Sequence, residues 1–206
     1  MAKLERKIEI IKAARHLFDS KGYENMTMQK IMKELDIAKG TIYHYFESKE
    51  ALFEAVIEEI VGENVTHMRS LIEGSQKNAL QKLQLLVSTG NISEENRAVL
   101  DGLHKPANSA MHSRLLAHAL IKQAPLYAEI IQQGCDEGVF KTETPLECAE
   151  FILSAVQFLT DKGIYSWTEK DLNRRMHAFP KLLEQQLQAP SGSFQFLFKK
   201  HRTSQT

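Results

Sequence analysis

The chain has 206 residues, of which 43% are hydrophobic, and its 26 basic and 26 acidic side chains give it no net charge. This apolar content supports a sizeable core and excludes intrinsic disorder, while ten glycines and five prolines are too few for a loop-rich all-β protein. The abundance of Leu, Ile, Ala, Glu, Lys and Gln predicts an all-α fold.

Four helices are predicted in the first 70 residues. The first ends at Lys21-Gly22, where glycine can adopt the left-handed cap conformation. Thr27 is the predicted N-cap of a short second helix, a third runs from about Ala38 to Tyr45, and Ser48 is the predicted N-cap of a longer fourth helix. The first helix has apolar residues every three or four positions: Leu4, Ile8, Ile11, Ala14, Leu17 and Phe18.

The helical pattern continues after Gly74 without β-like alternation. Pro106 and Pro125 are interpreted as helix boundaries, so that a helix begins near Pro125 and is closed by Gly134 and Gly138.

Two long helices are predicted near the end of the chain, at about residues 145–163 and 169–188, the first opened by Thr144-Pro145. Apolar residues surround much of the first of these helices, which predicts burial on more than one side. The tail, residues 190–206, is either a linker with a short docking segment or a mobile end.

Two cysteines, Cys135 and Cys148, are too few for a disulfide framework or a cysteine-based zinc site, and we expect buried thiols. The longest dense apolar run, Phe151–Leu159, is much shorter than the roughly 20 residues of a membrane-spanning helix. The first residues contain no apolar signal core. We therefore expect a soluble cytoplasmic protein that does not contact a membrane.

No arrangement of residues indicates an enzyme. His104, His112 and His118 are spaced so that they cannot share one helix face, and no metal-binding histidine pair, Gly-rich phosphate loop or Gly-x-Ser-x-Gly elbow is present in the sequence. We expect no catalytic residues, no cofactor and no metal site.

The third helix has an unusual composition. Ala38–Phe46 contains a lysine, a threonine, two tyrosines and a histidine, with Gly40 in its first turn. An ordinary surface helix with scattered aromatics does not explain so many polar and aromatic side chains in nine residues. A surface in close contact with DNA explains them. Glycine lets the backbone approach closely, and Lys39 and Thr41 can reach base edges or phosphates. Asp36 tolerates the positive φ that the preceding turn requires, which completes a helix-turn-helix pattern.

The charge distribution agrees with a contact at one end of the chain. Residues 1–50 hold ten basic and eight acidic side chains, residues 51–150 eight and fourteen, and residues 151–206 eight and four. An acidic middle segment would repel nucleic acid. The net charge of zero is by itself no evidence for DNA binding.

Gly22-Tyr23, Thr27-Met28, Ile31 and the run Lys39–Leu52 together resemble the DNA-binding domain of the TetR family of bacterial transcriptional regulators. The resemblance implies an all-helical homodimer of about nine helices, three of them for DNA binding. It implies three regions: a helix-turn-helix domain (1–47), an effector-binding and dimerisation domain (48–189) and a tail (190–206).

The resemblance also implies a set of residues that contact DNA. Three positions depart from the family pattern: Met32 replaces a small residue, Asp36 replaces a common glycine, and Ala38 replaces a frequent serine or threonine. These departures affect the spacing between the helices and the cap of the third helix. The implied contacts are Thr27, Lys39, Gly40, Thr41, Tyr43, His44, Tyr45 and Lys49.

The function predicted is that of a repressor released from a palindromic operator by a small molecule. The two last helices would pair with their copies as a four-helix bundle. A ligand pocket with few charged residues inside it would favour an apolar or aromatic effector. The alternative is a helical small-molecule-binding protein that has lost DNA binding. The candidate ligand contacts are Met68, Met111, Leu115, Phe151, Phe158, Tyr165 and Trp167.

Overall fold

The computed structural model describes residues 2–23, 25–89, 103–104 and 108–197. These residues contain eight α-helices and no β-strand, which confirms the predicted all-α fold class. None of the helices described is long and apolar enough to cross a lipid bilayer. The helices are α1 (Ala2–Lys21), α2 (Met28–Leu35), α3 (Lys39–Tyr45), α4 (Lys49–Ile72), α5 (Ala79–Thr89), α6 (Ser109–Asp136), α7 (Pro145–Thr160) and α8 (Glu169–Gln186).

The described residues belong to two compact units. Unit 1 comprises those within Met1–Gly62 and Ile92–His118, and unit 2 comprises those within Glu63–Asn91 and Ala119–Thr206. The division falls inside α4 and α6, so both helices contribute residues to both units. The boundary expected at residues 47/48 separates DNA binding from effector binding and dimerisation, whereas the two units are defined by contacts within the fold. The functional boundary therefore stays a prediction.

The core of unit 1 is built around α1. Phe18 of α1 and Phe53 of α4 are buried with ring centroids 4.7 Å apart, and the ring of Tyr23 lies 4.8 Å from Phe53. Burial of each phenylalanine side chain stabilises the fold by about 1.5–3 kcal/mol. Gly22 ends α1 as predicted, with φ +76°. The apolar stripe of α1 does not remain buried along its whole length, because Leu4 near its start is 65% exposed.

Helix α6 is continuous through Pro125, so the prediction that a helix begins near this residue is wrong. Proline has no N–H to donate to the carbonyl of Ile121 one turn earlier, which usually breaks a helix. Pro125 and Ile121 are both exposed, so water can solvate that carbonyl. Ala124 and Leu126 beside the proline are buried in the core of unit 2, and their packing favours the continuous helix over the local preference. The other predicted boundary, Pro106, lies outside the described residues.

The end of α6 follows the sequence prediction. The N–H groups of Val139 and Phe140 donate to the carbonyl of Gly134 at 2.8 and 3.0 Å, and Gly138 has φ +73°. A Cβ atom on Gly134 would collide with the ring of Phe140. Glycine is therefore required at residue 134 for close packing against Phe140, whereas the turn itself uses the positive φ of Gly138.

Helix α7 has Pro145 at its start, as predicted, although the side chain of Thr144 makes no capping hydrogen bond. It ends at Thr160, three residues before the predicted end. The reason is a local turn in which a carboxylate oxygen of Asp161 accepts hydrogen bonds from the N–H groups of residues 163–164 at 2.7 and 3.0 Å. This turn separates α7 from α8.

Helix α8 begins with a reciprocal capping box. The hydroxyl of Thr168 accepts a hydrogen bond from the N–H of Asp171 at 3.2 Å, and the carboxylate of Asp171 accepts one from the N–H of Thr168 at 3.3 Å. These two bonds satisfy N–H groups that a helix start otherwise leaves unpaired. The helix contains a buried proline, Pro180, and ends at Gln186, two residues before the predicted end.

Part of the predicted tail packs within unit 2. Phe194 is 3% exposed, and its ring is stacked 6.0 Å from that of Phe140. The N–H of Gly192 donates to the carboxylate of Glu184 at 2.7 Å. Of the two interpretations of the tail, a docking segment therefore applies up to residue 197, and residues 198–206 lie outside the described part.

Candidate nucleic-acid interface and ligand cavity

The turn between α2 and α3 has the geometry of a helix-turn-helix. The hydroxyl of Thr27 accepts a hydrogen bond from the N–H of Lys30 at 3.2 Å, which confirms the predicted N-cap of α2. Asp36 is left-handed with φ 50° and ψ 49°, as predicted, and the N–H of Ile37 donates to the carbonyl of Met32 at 3.0 Å. The departures at Met32 and Asp36 thus leave the turn intact.

Helix α3 is anchored by one buried residue of its own. Ile42 is fully buried, and Phe46, directly after the helix, is 5% exposed and donates its N–H to the carbonyl of Ile42 at 3.0 Å. Ala38 stands at the N-cap and makes no side-chain capping bond, because a methyl group cannot accept one. Tertiary anchoring, rather than a strong cap, holds this short helix in place.

The rest of α3 presents polar groups to solvent. The Nζ atom of Lys39 lies 5.7 Å from the ring centroid of Tyr43, and the rings of His44 and Tyr45 meet edge to face at 5.2 Å. A Cβ atom on Gly40 would meet no heavy atom within 4 Å. This face offers a cation, hydroxyls and accessible backbone, which are the groups that contact phosphates and base edges. Its exposed members are Lys39, Gly40, Tyr43 and His44, and its partly buried members are Thr41 and Tyr45.

Lys49 at the start of α4 is held beside an aromatic ring. Its Nζ atom lies 3.9 Å from the ring centroid of Tyr23, within range of a cation–π interaction. The hydroxyl of Tyr23 donates to the carboxylate of Glu50 at 3.3 Å, and the hydroxyl of Ser48 accepts from the N–H of Ala51 at 3.1 Å. Ser48 is therefore the N-cap that the sequence predicts.

The contacts of Tyr23 and Glu50 beside Lys49 shift the pKa values of both side chains. Burial, followed by the nearby Glu50 carboxylate, raises the pKa of Tyr23 to about 12, so its hydroxyl remains a donor at neutral pH. The pKa of Glu50 is lowered, first by its own backbone N–H and then by the Ser48 hydroxyl. Glu50 is thus a stable anion that keeps the Tyr23 ring oriented beneath Lys49.

All eight residues predicted to contact DNA belong to unit 1. The sequence did not assign a role to the support that Tyr23 and Glu50 provide for Lys49. These two residues are 27 positions apart, so no local spacing signals their contact.

Two of the histidines and both cysteines have close neighbours within their own unit. The rings of His104 and His112 are 4.8 Å apart within unit 1, with His112 buried and His104 exposed. Cys148 is buried as expected, whereas Cys135 is partly buried. Their sulfur atoms lie 3.1 Å from the hydroxyl and 3.8 Å from the carbonyl of Thr142, respectively. The expectation that the chain holds no metal stays a prediction.

Unit 2 contains a cavity of about 140 Å³ bordered by α5, α6, α7, α8 and the segment 194–197. Tyr127 of α6 is the one described lining residue that carries a hydroxyl, and burial raises its pKa to about 12. Apolar side chains form the other walls. Examples are Leu83 of α5, Ile131 of α6, Ile152 and Val156 of α7, Phe179 of α8, and Phe196.

None of the seven candidate ligand residues borders this cavity. Met111 and Leu115 are buried in unit 1, Met68 is buried in the core of unit 2, and Phe151 is 62% exposed. Their contact with a ligand stays a prediction. The cavity is instead bordered in part by apolar stripes of α5 and α8. These stripes are visible in the sequence, but their spacing is the same as that of helices packed in an ordinary core.

The remaining three candidates form an aromatic cluster between α7 and α8. The rings of Phe158 and Tyr165 meet edge to face at 5.4 Å, and Tyr165 stacks on Trp167 at 4.7 Å. The guanidinium carbon of Arg175 lies 3.5 Å from the ring centroid of Trp167. These contacts stabilise the connection between the two helices.

Comparison with known proteins identifies the family. A model of the bacterial regulatory proteins of the tetR family matches residues 10–56, and a model of the tetracyclin repressor-like C-terminal domain matches residues 91–182. The uncharacterized HTH-type transcriptional regulator YfiR of Bacillus subtilis is 28% identical over 178 residues, covering 81% of this chain and 83% of that protein. The HTH-type transcriptional regulator UidR of Escherichia coli is 40% identical over 65 residues, 32% of this chain and 33% of UidR.

Solved structures show the same fold. A transcriptional regulator from Cytophaga hutchinsonii is 25% identical, with a TM-score of 0.58 over 97% of this chain and 98% of its own. A TetR-family regulator from Pectobacterium atrosepticum, 17% identical, has a TM-score of 0.64 over 92% of this chain and 97% of its own. Because two family models match separate parts of the chain, and because α2 and α3 form a helix-turn-helix, the chain belongs to the TetR family of bacterial transcriptional regulators, which are DNA-binding proteins and not enzymes.

Proposed function

We propose that this regulator is a repressor that binds a palindromic operator as a homodimer and leaves it when a small apolar or aromatic molecule binds unit 2. The observation that carries the DNA part of the proposal is the exposed face of α3. Ile42 anchors the helix, while Lys39, Gly40 and Tyr43 remain open to a partner.

Each DNA-contact residue has a role that its chemistry allows. Lys39 reaches a base edge or a phosphate, and the backbone at Gly40 approaches DNA closely. The Thr27 hydroxyl accepts from Lys30, which leaves its own O–H free to donate to a phosphate. The other donors toward the DNA backbone are Thr41, Tyr43, His44 and Tyr45.

Lys49 supports this interface from the start of α4. A helix N-terminus attracts phosphate through its unpaired N–H groups and its dipole. The Tyr23 ring beneath the ammonium group limits the positions that Lys49 can adopt. We therefore assign Lys49 a phosphate contact rather than a base contact.

TetR-family regulators generally act as dimers, and here α7 and α8 are proposed to pair with their copies. Large apolar side chains are exposed on both helices: Leu146, Phe151 and Phe158 are 41, 62 and 47% exposed, and Leu182 is 54% exposed. Exposed apolar groups of this size are typical of an interface. A four-helix bundle formed by two copies would cover them, and two α3 helices would then enter successive major grooves.

Ligand response requires coupling between unit 2 and the DNA-contact residues. The cavity in unit 2 is the proposed effector site, and α4, which starts at Lys49 and continues to Ile72, is the proposed lever. Coupling free energies between sites are typically about 1–3 kcal/mol. Effector binding would favour a spacing of the two α3 helices that does not fit the operator.

The proposal is tested by recovering genomic DNA fragments with the purified chain at near-physiological salt. The wild type is expected to enrich a palindromic site, while Lys39→Ala weakens binding by roughly 1–3 kcal/mol if Lys39 contacts a base. Lys181→Ala, which removes an exposed cation from α8, serves as the matched control and retains binding. Repeating the experiment after unfolding and refolding removes any ligand acquired during expression.

Two outcomes would contradict the proposal. If refolded wild type enriches no site over Lys39→Ala, α3 does not recognise an operator. If operator affinity is the same with and without a saturating ligand bound in unit 2, the release mechanism is wrong.

A further inference from the structure

We infer that the unit 2 cavity selects a neutral, mostly apolar molecule of about one aromatic ring that carries a single oxygen, and that the hydroxyl of Tyr127 donates a hydrogen bond to this oxygen. The inference rests on the proposed ligand response and names the class of ligand for that site.

The size and walls of the cavity define the apolar part of the ligand. The volume of about 140 Å³ is close to that of apolar cavities of about 150 Å³ that take up benzene. The described walls carry no charged side chain. A carboxylate or ammonium group would lose its hydration without gaining an opposite charge among these walls, so the cavity disfavours charged ligands.

Tyr127 defines the polar part of the ligand. The described residues offer its hydroxyl no hydrogen-bond partner, although the side chain is packed against the core of unit 2. Among the described lining residues, this hydroxyl is the one side-chain group that can donate a hydrogen bond to a ligand in the cavity. Burial raises the pKa of Tyr127 to about 12, so the group is protonated at neutral pH and can donate.

Calorimetric titration of the full chain with three one-ring probes tests the inference. Toluene has no polar group, phenol replaces its methyl group with a hydroxyl, and benzoate carries a charge. We expect toluene and phenol to bind and benzoate not to bind at concentrations that saturate with phenol. Tyr127→Phe should weaken phenol binding by about 3- to 10-fold and change toluene binding less than about twofold, as expected for one lost hydrogen bond.

Two further variants serve as controls. Ser70→Ala removes a hydroxyl from an exposed residue of α4 that does not border the cavity and should leave both affinities unchanged. Val156→Phe places a ring in the cavity and should abolish binding of both probes. The inference is overturned if Val156→Phe still binds the probes or if Tyr127→Phe weakens toluene and phenol binding equally. It is also overturned if the wild type binds benzoate more tightly than phenol, or binds neither neutral probe.

The DNA readout separates this inference from the proposed function. If phenol binds in a Tyr127-dependent way but leaves operator affinity unchanged, the ligand class stands and the release mechanism fails. If phenol binding shows no dependence on Tyr127, the ligand class fails, whatever the effect on DNA.

Discussion

Replacing Gly40 with alanine separates the folding of α3 from its contact with DNA. Gly40 is the second residue of α3, and a Cβ atom there would meet no heavy atom within 4 Å. Alanine is more favourable than glycine in a helix by about 0.5–1 kcal/mol. The free energy of unfolding should therefore stay the same or rise by up to about 1 kcal/mol, which corresponds to at most about 2–4 °C in Tm for a chain of this length.

The same methyl group should weaken DNA binding. If the backbone at Gly40 approaches DNA, the added carbon pushes the helix away and lengthens the contacts of Lys39 and Thr41. Specific contacts are worth about 1–3 kcal/mol each, so affinity should fall about 5- to 150-fold. Because Gly40→Ala removes no charge, the salt dependence of binding should not change, whereas Lys39→Ala should reduce the salt slope by about 1 if Lys39 neutralises a phosphate.

Fluorescence anisotropy with the recovered operator and urea unfolding measure the two effects. Gly62→Ala is the matched control, because Gly62 lies inside α4 and its Cβ would also meet no heavy atom within 4 Å. It should stabilise the chain by about the same amount and leave operator affinity unchanged. Wild-type operator affinity in a stable Gly40→Ala variant would refute the close backbone approach, and a loss of stability would refute the open surroundings of Gly40.

Three more outcomes are expected. Thr27→Ala should lower the free energy of unfolding by about 1 kcal/mol in urea titrations through loss of the α2 cap, while Thr27→Ser should retain it. Gly134→Ala should cost roughly 1–3 kcal/mol in the same assay, because its methyl group collides with the buried ring of Phe140; an unchanged midpoint would contradict this packing. The hydrogen bond from the Thr168 hydroxyl lowers the pKa of Asp171 below its ordinary 3.8, so its stabilising effect is complete above that pH and is lost as the pH falls through the lower pKa of the folded state. Asp171→Asn should therefore show a smaller fall in Tm on acidification than the wild type.

The features that the sequence alone determined depend on one residue or on close neighbours. Asp36 tolerates a left-handed conformation, Thr27 and Ser48 accept N–H groups three residues later, and Gly22 and Gly138 end helices with positive φ. Each of these is a property of local backbone chemistry. The composition of α3 is equally local, because its lysine, glycine and tyrosines lie within one short helix.

Tertiary structure decided the features that join distant parts of the chain. Pro125 sits inside α6 because buried neighbours on both sides favour a continuous helix over the local preference of proline. Lys49 is oriented by Tyr23, which no sequence spacing connects to it.

The cavity is the clearest case of a feature that only the folded chain defines. Leu83, Tyr127 and Phe194 border it from three separate stretches of sequence. An apolar stripe has the same pattern whether its helix packs completely or leaves space against its neighbours. The volume that packed helices leave unfilled depends on how several of them meet, and that relation exists only in the tertiary structure.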